Sequence, residues 1–399
     1  MSETLNETPG ANRLHIGFFG KRNSGKSSLM NAFTGQEVSI VSDVAGTTTD
    51  LVSKPMEVHP LGACVLMDTA GFDDEGELGK NRVEKTKLAA QKADIAVIVC
   101  TDTELSEELA WYHFFEERHT PVAVVINKTD CITNIGGLQE AVTAAFKQEP
   151  VLVSAQKREG IEALKEQLVR LLPENYGTDQ ITGDLVQEGD VVLLVMPQDI
   201  QAPKGRLILP QVQTLRELLD KKCLVMSVTT DKLTAALNTL SAPPKLIITD
   251  SQVFAYVYEQ KPKESMLTSF SVLFAAYKGD LPYYIEGAKQ LDALTGQSKV
   301  LIAECCTHAP LAEDIGRVKL PRMLRKRVGE GLVIDTVSGT DYPQDLSGYD
   351  LIIQCGACMF NRKYVLSRIE RARGQKVPMT NYGVAIAHLS GILSDVTLP

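Results

Sequence analysis

The chain has 399 residues, 44% of them hydrophobic and 23% charged, with a formal net charge of −9. That length exceeds one core and predicts two or three domains at about 150 residues each. The acidic balance offers no general field for a phosphate backbone, so no nucleic acid is expected as the principal partner. The candidate basic run, 317–327 with Lys319, Arg322, Arg325 and Lys326, reads as one solvated helix face.

The first residues are polar and lack the apolar core of a signal peptide, and no stretch reaches the ~20 apolar residues that span a bilayer. A cytoplasmic protein without membrane contact is therefore expected. Its eight cysteines read as buried small residues, metal ligands or redox groups before they read as disulfides.

Alternating apolar strands and amphipathic helices over 8–175 predict a doubly wound α/β nucleotide domain. The segment GKRNSGKSS, residues 20–28, follows the apolar run Ile16, Phe18, Phe19 and opens into a helix-prone stretch. That setting suits a phosphate loop of Asn23, Ser24, Gly25, Lys26, Ser27 and Ser28. Its backbone N–H groups cradle phosphates, Lys26 reaches the terminal pair and the Ser27 hydroxyl holds magnesium.

In AGTTTD, residues 45–50, a mobile switch would supply a second magnesium ligand, with Thr48 preferred to Thr47 or Thr49. Asp68, Thr69, Ala70 and Gly71 end the apolar run Val65, Leu66, Met67, which sets a carboxylate beside magnesium and the Gly71 amide toward the terminal phosphate. Phe72 stands where many such enzymes orient water with Gln, so slow intrinsic hydrolysis is expected. Asp73, Asp74, Glu75 and Gly76 read either as a charged second switch or as a solvated acidic loop.

Asn127, Lys128 and Asp130 close an apolar strand at 122–126; an Asp there accepts two hydrogen bonds from the N1–H and N2–H edge of guanine, a donor pair adenine lacks. Ser154 and Ala155 close the strand at 151–153, where a backbone amide would meet guanine O6. Each fragment alone is an ordinary strand-to-turn junction. In this order they resemble translation-factor-class GTPases, which implies GTP and GDP as ligands and Lys26, Asp68, Gly71 and Asn23 as the catalytic set. Asn23 also matches the potassium-binding residue of the Era and TrmE-like branch, so potassium is implied as activator; plain loop capping is the other reading.

A polar segment with Pro173, Gly177, Gly183 and Gly189 reads as a linker. A short α/β unit over 184–262 follows, with strands at 191–195, 224–228 and 246–249 and helices at 211–221 and 232–240. Its apolar surplus predicts a face buried against a partner, such as a second copy in a homodimer or higher homo-oligomer. Lys261, Pro262 and Lys263 mark the next boundary.

Residues 265–399 predict a third α/β domain, with strands at 300–303, 332–336, 351–353 and 380–382 and helices at 314–328 and 361–373, spacings that fit parallel strands with crossover helices. Two cysteine groups, CCTH at 305–308 and CGAC at 355–358, lie just past apolar strands, and such ends share one edge of a parallel sheet. Thiolates there suit zinc or an iron–sulfur cluster. Three with a variable fourth position favour a [4Fe-4S] cluster with one exchangeable iron, whereas structural zinc prefers a closed set of four. His308 could close such a set, and Glu313 could substitute as an oxygen ligand.

The spacing Cys306-Thr307-His308 and, after a long gap, Cys355 and Cys358, behind a GTPase with Asn23 and Phe72, resembles the HydF family of [FeFe]-hydrogenase maturation GTPases over the whole chain. The resemblance implies a GTPase, a dimerisation unit and a cluster domain. Cys306, Cys355 and Cys358 would be ligands and His308 a variable fourth; Cys305 would be a packed neighbour, since the CxH spacing selects Cys306. Many members carry His before the CxxC pair, but Gln354 stands here, which counts against a two-histidine site.

What the resemblance implies for function is a scaffold and carrier. A transient di-iron subcluster would be cargo, radical SAM maturases would load it, and the [FeFe]-hydrogenase catalytic subunit would receive it while GTP hydrolysis switches partner association. Two rivals remain: an Era/TrmE-like ribosome- or tRNA-associated GTPase with structural zinc, and a zinc-stabilised adaptor.

Overall fold

A computed structural model of the chain describes residues 9–35, 52–71, 76–172, 176, 180–197, 207–305 and 315–399. Thr48, Phe72, Cys306, His308 and Glu313 lie outside the described residues, so expectations resting on them have no geometry below. The chain forms two compact units, Met1–Tyr176 and Gly177–Pro399.

In chain order the first unit contains β1 (Leu14–Phe19), α1 (Lys26–Thr34), β2 (Val52–Val58), β3 (Gly62–Asp68), α2 (Gly76–Lys92), β4 (Ile95–Cys100) and α3 (Ser106–Glu116). It continues with β5 (Val122–Ile126), α4 (Ile135–Phe146), β6 (Val151–Leu152) and α5 (Ile161–Arg170). The sheet order is β2-β3-β1-β4-β5-β6. All neighbours are parallel except β2, which runs antiparallel to β3.

Because helices cover both faces, β4 and β5 are buried at every position and read as apolar runs without alternation. Leu29, Phe33, Leu164 and Leu168 pack on one face, and Phe115, Leu138 and Phe146 on the other. The edge strand β2, with exposed Lys54 and Pro55, is of the kind that discourages further pairing. The phosphate loop, Asp68, Asn127 and Ser154 all emerge at the carboxyl ends of parallel strands, where ligands bind in such sheets.

The second unit begins with β7 (Val191–Val195), α6 (Leu209–Asp220), β8 (Leu224–Val228), α7 (Leu233–Thr239), β9 (Leu246–Thr249), α8 (Phe254–Gln260), β10 (Met266–Ser269), α9 (Phe270–Lys278) and α10 (Leu281–Ala288). It ends with β11 (Lys299–Ala303), α11 (Leu320–Val328), β12 (Val333–Val337), β13 (Leu351–Gln354), α12 (Arg362–Gly374), β14 (Met379–Asn381) and α13 (Tyr382–Leu389). These strands make two four-stranded sheets, β10-β9-β7-β8 and β12-β11-β13-β14, each with parallel neighbours.

One expectation changes here. The strand β10 lies past the boundary expected at 262–265 yet pairs with β9, so the first of these sheets takes a strand more than the sequence assigns to it. The apolar surplus of the middle segment is also used within the chain. Leu193, Val195, Ile247 and Leu267 share one continuous core with Leu301, Ile302, Ile352 and the apolar helix α13. The opposite face packs Val192, Leu194 and Ile248 on Phe270, Leu273 and Phe274 of α9. Leu219 of α6, Leu224 of the edge strand β8 and Tyr256 of α8 stay exposed, Leu224 most of all at 62%.

Candidate functional site

The phosphate loop is closed by contacts that dictate its residues. Gly25 caps α1 at φ +85°, and a Cβ there would run into the Asn127 amide, so only glycine fits. The buried Lys26 ammonium donates to the Gly20 carbonyl at 2.9 Å and to the Lys21 carbonyl at 2.7 Å, which folds it over the loop where phosphate oxygens would replace those carbonyls. Ser27 Oγ donates to Asp68 Oδ2 at 2.6 Å, bringing the two expected magnesium-side groups together. That hydroxyl–carboxylate pair, beside the start of α1, is an oxygen donor set suited to a hard divalent cation.

Asn23 sits exposed in the left-handed region at φ +59°, and its side chain takes no hydrogen-bond partner among the described residues, so it does not cap the loop internally. Lys21 was not singled out by sequence. Its ammonium pairs with Asp102 at 3.2 Å and with the nearly buried Glu108 at 3.5 Å, and it also donates to the Glu104 carbonyl, tying the loop to the start of α3. A lysine beside the motif is unremarkable in sequence, and only the fold brings these carboxylates to it.

On the base side, Asp130 Oδ1 accepts from Ser154 Oγ at 2.6 Å, and this bond holds the Asp130 carboxyl below the ordinary carboxylate range. Asn127, expected among the nucleotide-site residues, braces the site from within. It is 1% exposed, its Nδ2 donates to the Ser24 carbonyl at 3.0 Å, and its Oδ1 accepts the Ala155 N–H at 3.2 Å. The Ala155 amide, one of those near the expected guanine O6 position, is engaged by Asn127. Lys128 is exposed at φ +61°, with its stem beside Gly25.

In the second unit, β11 and β13 are hydrogen-bonded neighbours, Ala303 lying opposite Gln354, so the segments after them start side by side. Cys305 is buried, and its N–H donates to Cys355 Sγ at 3.2 Å. Its thiol also donates to Cys355, which draws the Cys355 thiol below its usual range, while burial pushes Cys305 well up. Cys355 and Cys358 are partly exposed at this sheet edge. Among the described residues no three His, Cys, Asp or Glu side chains gather as a metal site. The donor set present, two partly exposed cysteines three residues apart with an N–H donating to one sulfur, nonetheless fits a soft-ligand metal centre. Gln354 turns away: it is 1% exposed and donates to Tyr284 Oη at 3.3 Å.

Sequence reasoning also missed Lys278. It ends α9, is 2% exposed, and donates to the carbonyls of Ala357, Cys358 and Phe360 at 3.4, 3.2 and 2.8 Å. Burial lowers its pKa to about 8, against the opposing pull of Cys358, Cys305 and Cys355. A lysine at the end of the apolar run 270–277 was the available signal.

Family comparison separates the two units. Residues 181–279 match the hydrogen maturase F dimerization domain and residues 282–398 the hydrogen maturase F tetramerization domain. The chain belongs to the hydrogen maturase F family. In this HydF chain, residues 15–128 match the model described as 50S ribosome-binding GTPase, so the first unit is a GTPase domain.

Curated relatives each match less than half of the chain. GTPase Der of Wolinella succinogenes is 37% identical over 187 residues, covering 44% of this chain and 38% of its own. The tRNA modification GTPase MnmE of Pseudomonas paraeruginosa is 36% identical over 155 residues, covering 37% and 33%. GTPase Era of Stenotrophomonas maltophilia is 33% identical over 192 residues, covering 43% and 64%. The HydF chain thus spans from a third to just under two thirds of the relatives it matches.

Proposed function

We propose that this chain hydrolyses GTP to GDP and phosphate, and that it is a scaffold and carrier for the di-iron subcluster of [FeFe]-hydrogenase, held on a [4Fe-4S] cluster bound by Cys306, Cys355 and Cys358. The observation that supports the reading is the meeting of Cys305 and Cys355 at neighbouring strand ends, so that the residue just before Cys306 lies against the first cysteine of the CGAC segment in a chain that also has a GTPase domain. The fourth position is left to His308 or Glu313.

For hydrolysis, the loop amides from Asn23 to Ser28 receive the phosphates. Lys26 leaves the Gly20 and Lys21 carbonyls for the β- and γ-phosphate oxygens, and the Gly71 amide faces the γ-phosphate. Water adds to the γ-phosphorus as the bond to the β–γ bridging oxygen breaks, and charge grows on the leaving GDP where Lys26 offsets it. Ser27, Thr48 and Asp68 would hold magnesium, and Asn23 potassium; bound cations supply positive charge at the phosphates. Asp130 reads the N1–H and N2–H edge of guanine.

Cys306, Cys355 and Cys358 would hold the cluster, which supplies an exchangeable iron for cargo. Radical SAM maturases would deliver that cargo and the hydrogenase catalytic subunit would receive it, with nucleotide state switching these associations. The dimerization and tetramerization matches support a homo-oligomer. The test is transfer: protein produced anaerobically with its radical SAM maturases should activate cluster-free hydrogenase in vitro, and Cys355→Ser protein should not. Absence of activation by the cargo-loaded wild type would remove the carrier role.

A further inference from the structure

Lys278 is a buried cation with no carboxylate partner among the described residues. Its hydrogen bonds go to three carbonyls of one turn, those of Ala357, Cys358 and Phe360, and the acidic groups close to it are the thiols of Cys358, Cys305 and Cys355. A buried ammonium is costly unless counter-charge or dense hydrogen bonding compensates it; three carbonyls take its donors here, and the neighbouring cysteines, as thiolates, would add the counter-charge.

The turn itself needs such a clamp. Ala357 is held at φ +52°, a strained conformation that a non-glycine residue keeps only where surrounding contacts impose it. Ala357 is 3% exposed, and the Lys278 ammonium bonds its carbonyl. A second buried cation reinforces the turn from another side. The Arg368 guanidinium lies 4.7 Å from the ring centroids of Phe360 and Tyr342.

We propose that Lys278 is a positioning residue for the thiolate–iron centre: it fixes the 355–360 turn through three carbonyls and supplies the buried positive charge that stabilises the anionic thiolate set. The proposal rests on the cluster reading above. Two functions follow for one side chain, and they separate by substitution. Lys278→Met removes donors and charge, whereas Lys278→Gln keeps a donor amide and removes the charge.

The experiment uses the full chain, reconstituted anaerobically with iron and sulfide, with folding checked by its thermal transition and by GTP binding. In Lys278→Met, iron loss to a chelator should be at least ~10-fold faster, as expected for loss of an outer-shell partner, and amide exchange at 355–360 should rise. In Lys278→Gln, exchange at 355–360 should stay closer to wild type. In both variants the cluster's midpoint potential should move to more negative values, because reduction adds negative charge that the ammonium no longer offsets. If Lys278→Met does not fold, Lys278→Gln carries the test. Unchanged potential and unchanged iron retention in a folded variant overturn the proposal. Wild type that takes up no iron would sink the cluster reading instead; amide exchange in the metal-free chain then decides the clamp, and unchanged exchange in Lys278→Met overturns it.

Discussion

Asn127 donates from Nδ2 to the Ser24 carbonyl at 3.0 Å, tying the base-side loop to the phosphate loop across 103 residues of sequence. With the Ala155 N–H received on its Oδ1, it braces three segments that must meet one nucleotide. Asn127→Ala leaves the Ser24 carbonyl and the Ala155 amide without this partner, at about 1–3 kcal/mol for each group left buried and unpaired. GTP and GDP affinity should both fall about 10-fold or more, measurable by titration with a fluorescent analogue, with little change in the thermal transition of the second unit. Unaltered affinity would mean that the brace does not organise the site.

Asp130 keeps its charge to lower pH than an ordinary carboxylate because Ser154 donates to it. A lowered native pKa means that the anion's contribution is complete above the ordinary range and disappears only as pH falls through the lowered value. Ser154→Ala should raise that pKa, so guanine affinity should begin to fail at a higher pH than in wild type. Parallel acid limbs for the two proteins, followed by nucleotide titration, would rule this out.

Most of the GTPase site was legible because its residues are contiguous motifs at the ends of apolar strands, and a motif carries its own geometry. The strut role of Asn127 was not, since a buried amide and a base-contacting amide look alike in sequence. Helices α9, α10 and α13 also escaped notice. Of these, α9 and α13 are apolar on most sides, as in α13, where Val384, Ala385, Ile386 and Ala387 are all buried, so no amphipathic period announces them; α10 buries one face through Leu281, Tyr284 and Ala288 but is only eight residues long. Lys278 went with them, because its partners are backbone carbonyls supplied by the fold. The cysteine pairing across β11 and β13 could be expected from parallel-strand topology, whereas the hydrogen bond from Cys305 to Cys355 needed the register.

Asn23 is exposed on the phosphate loop with no internal hydrogen bond among the described residues, which leaves its side-chain oxygen open to a monovalent ion. Turnover of GTP should be faster in potassium than in sodium at equal ionic strength. Asn23→Ala should bring the two rates together while leaving GTP affinity near wild type. Equal wild-type rates in both salts, with folded protein, would exclude potassium from the mechanism.

Cys305 is buried and spends its donors on Cys355, a packing and orienting role. Cys305→Ser should therefore retain most of the bound iron, whereas Cys306→Ser should lose most of it, both measured after anaerobic reconstitution. The reverse ranking would make Cys305 the ligand.

The central claim, that thiols from two distant segments hold one iron–sulfur centre, is tested most directly by iron and acid-labile sulfide analysis with visible absorption on protein kept free of oxygen. The account predicts brown protein with about four irons per chain, and bleaching on Cys355→Ser or Cys358→Ser. Colourless wild-type protein carrying zinc and no iron would contradict it.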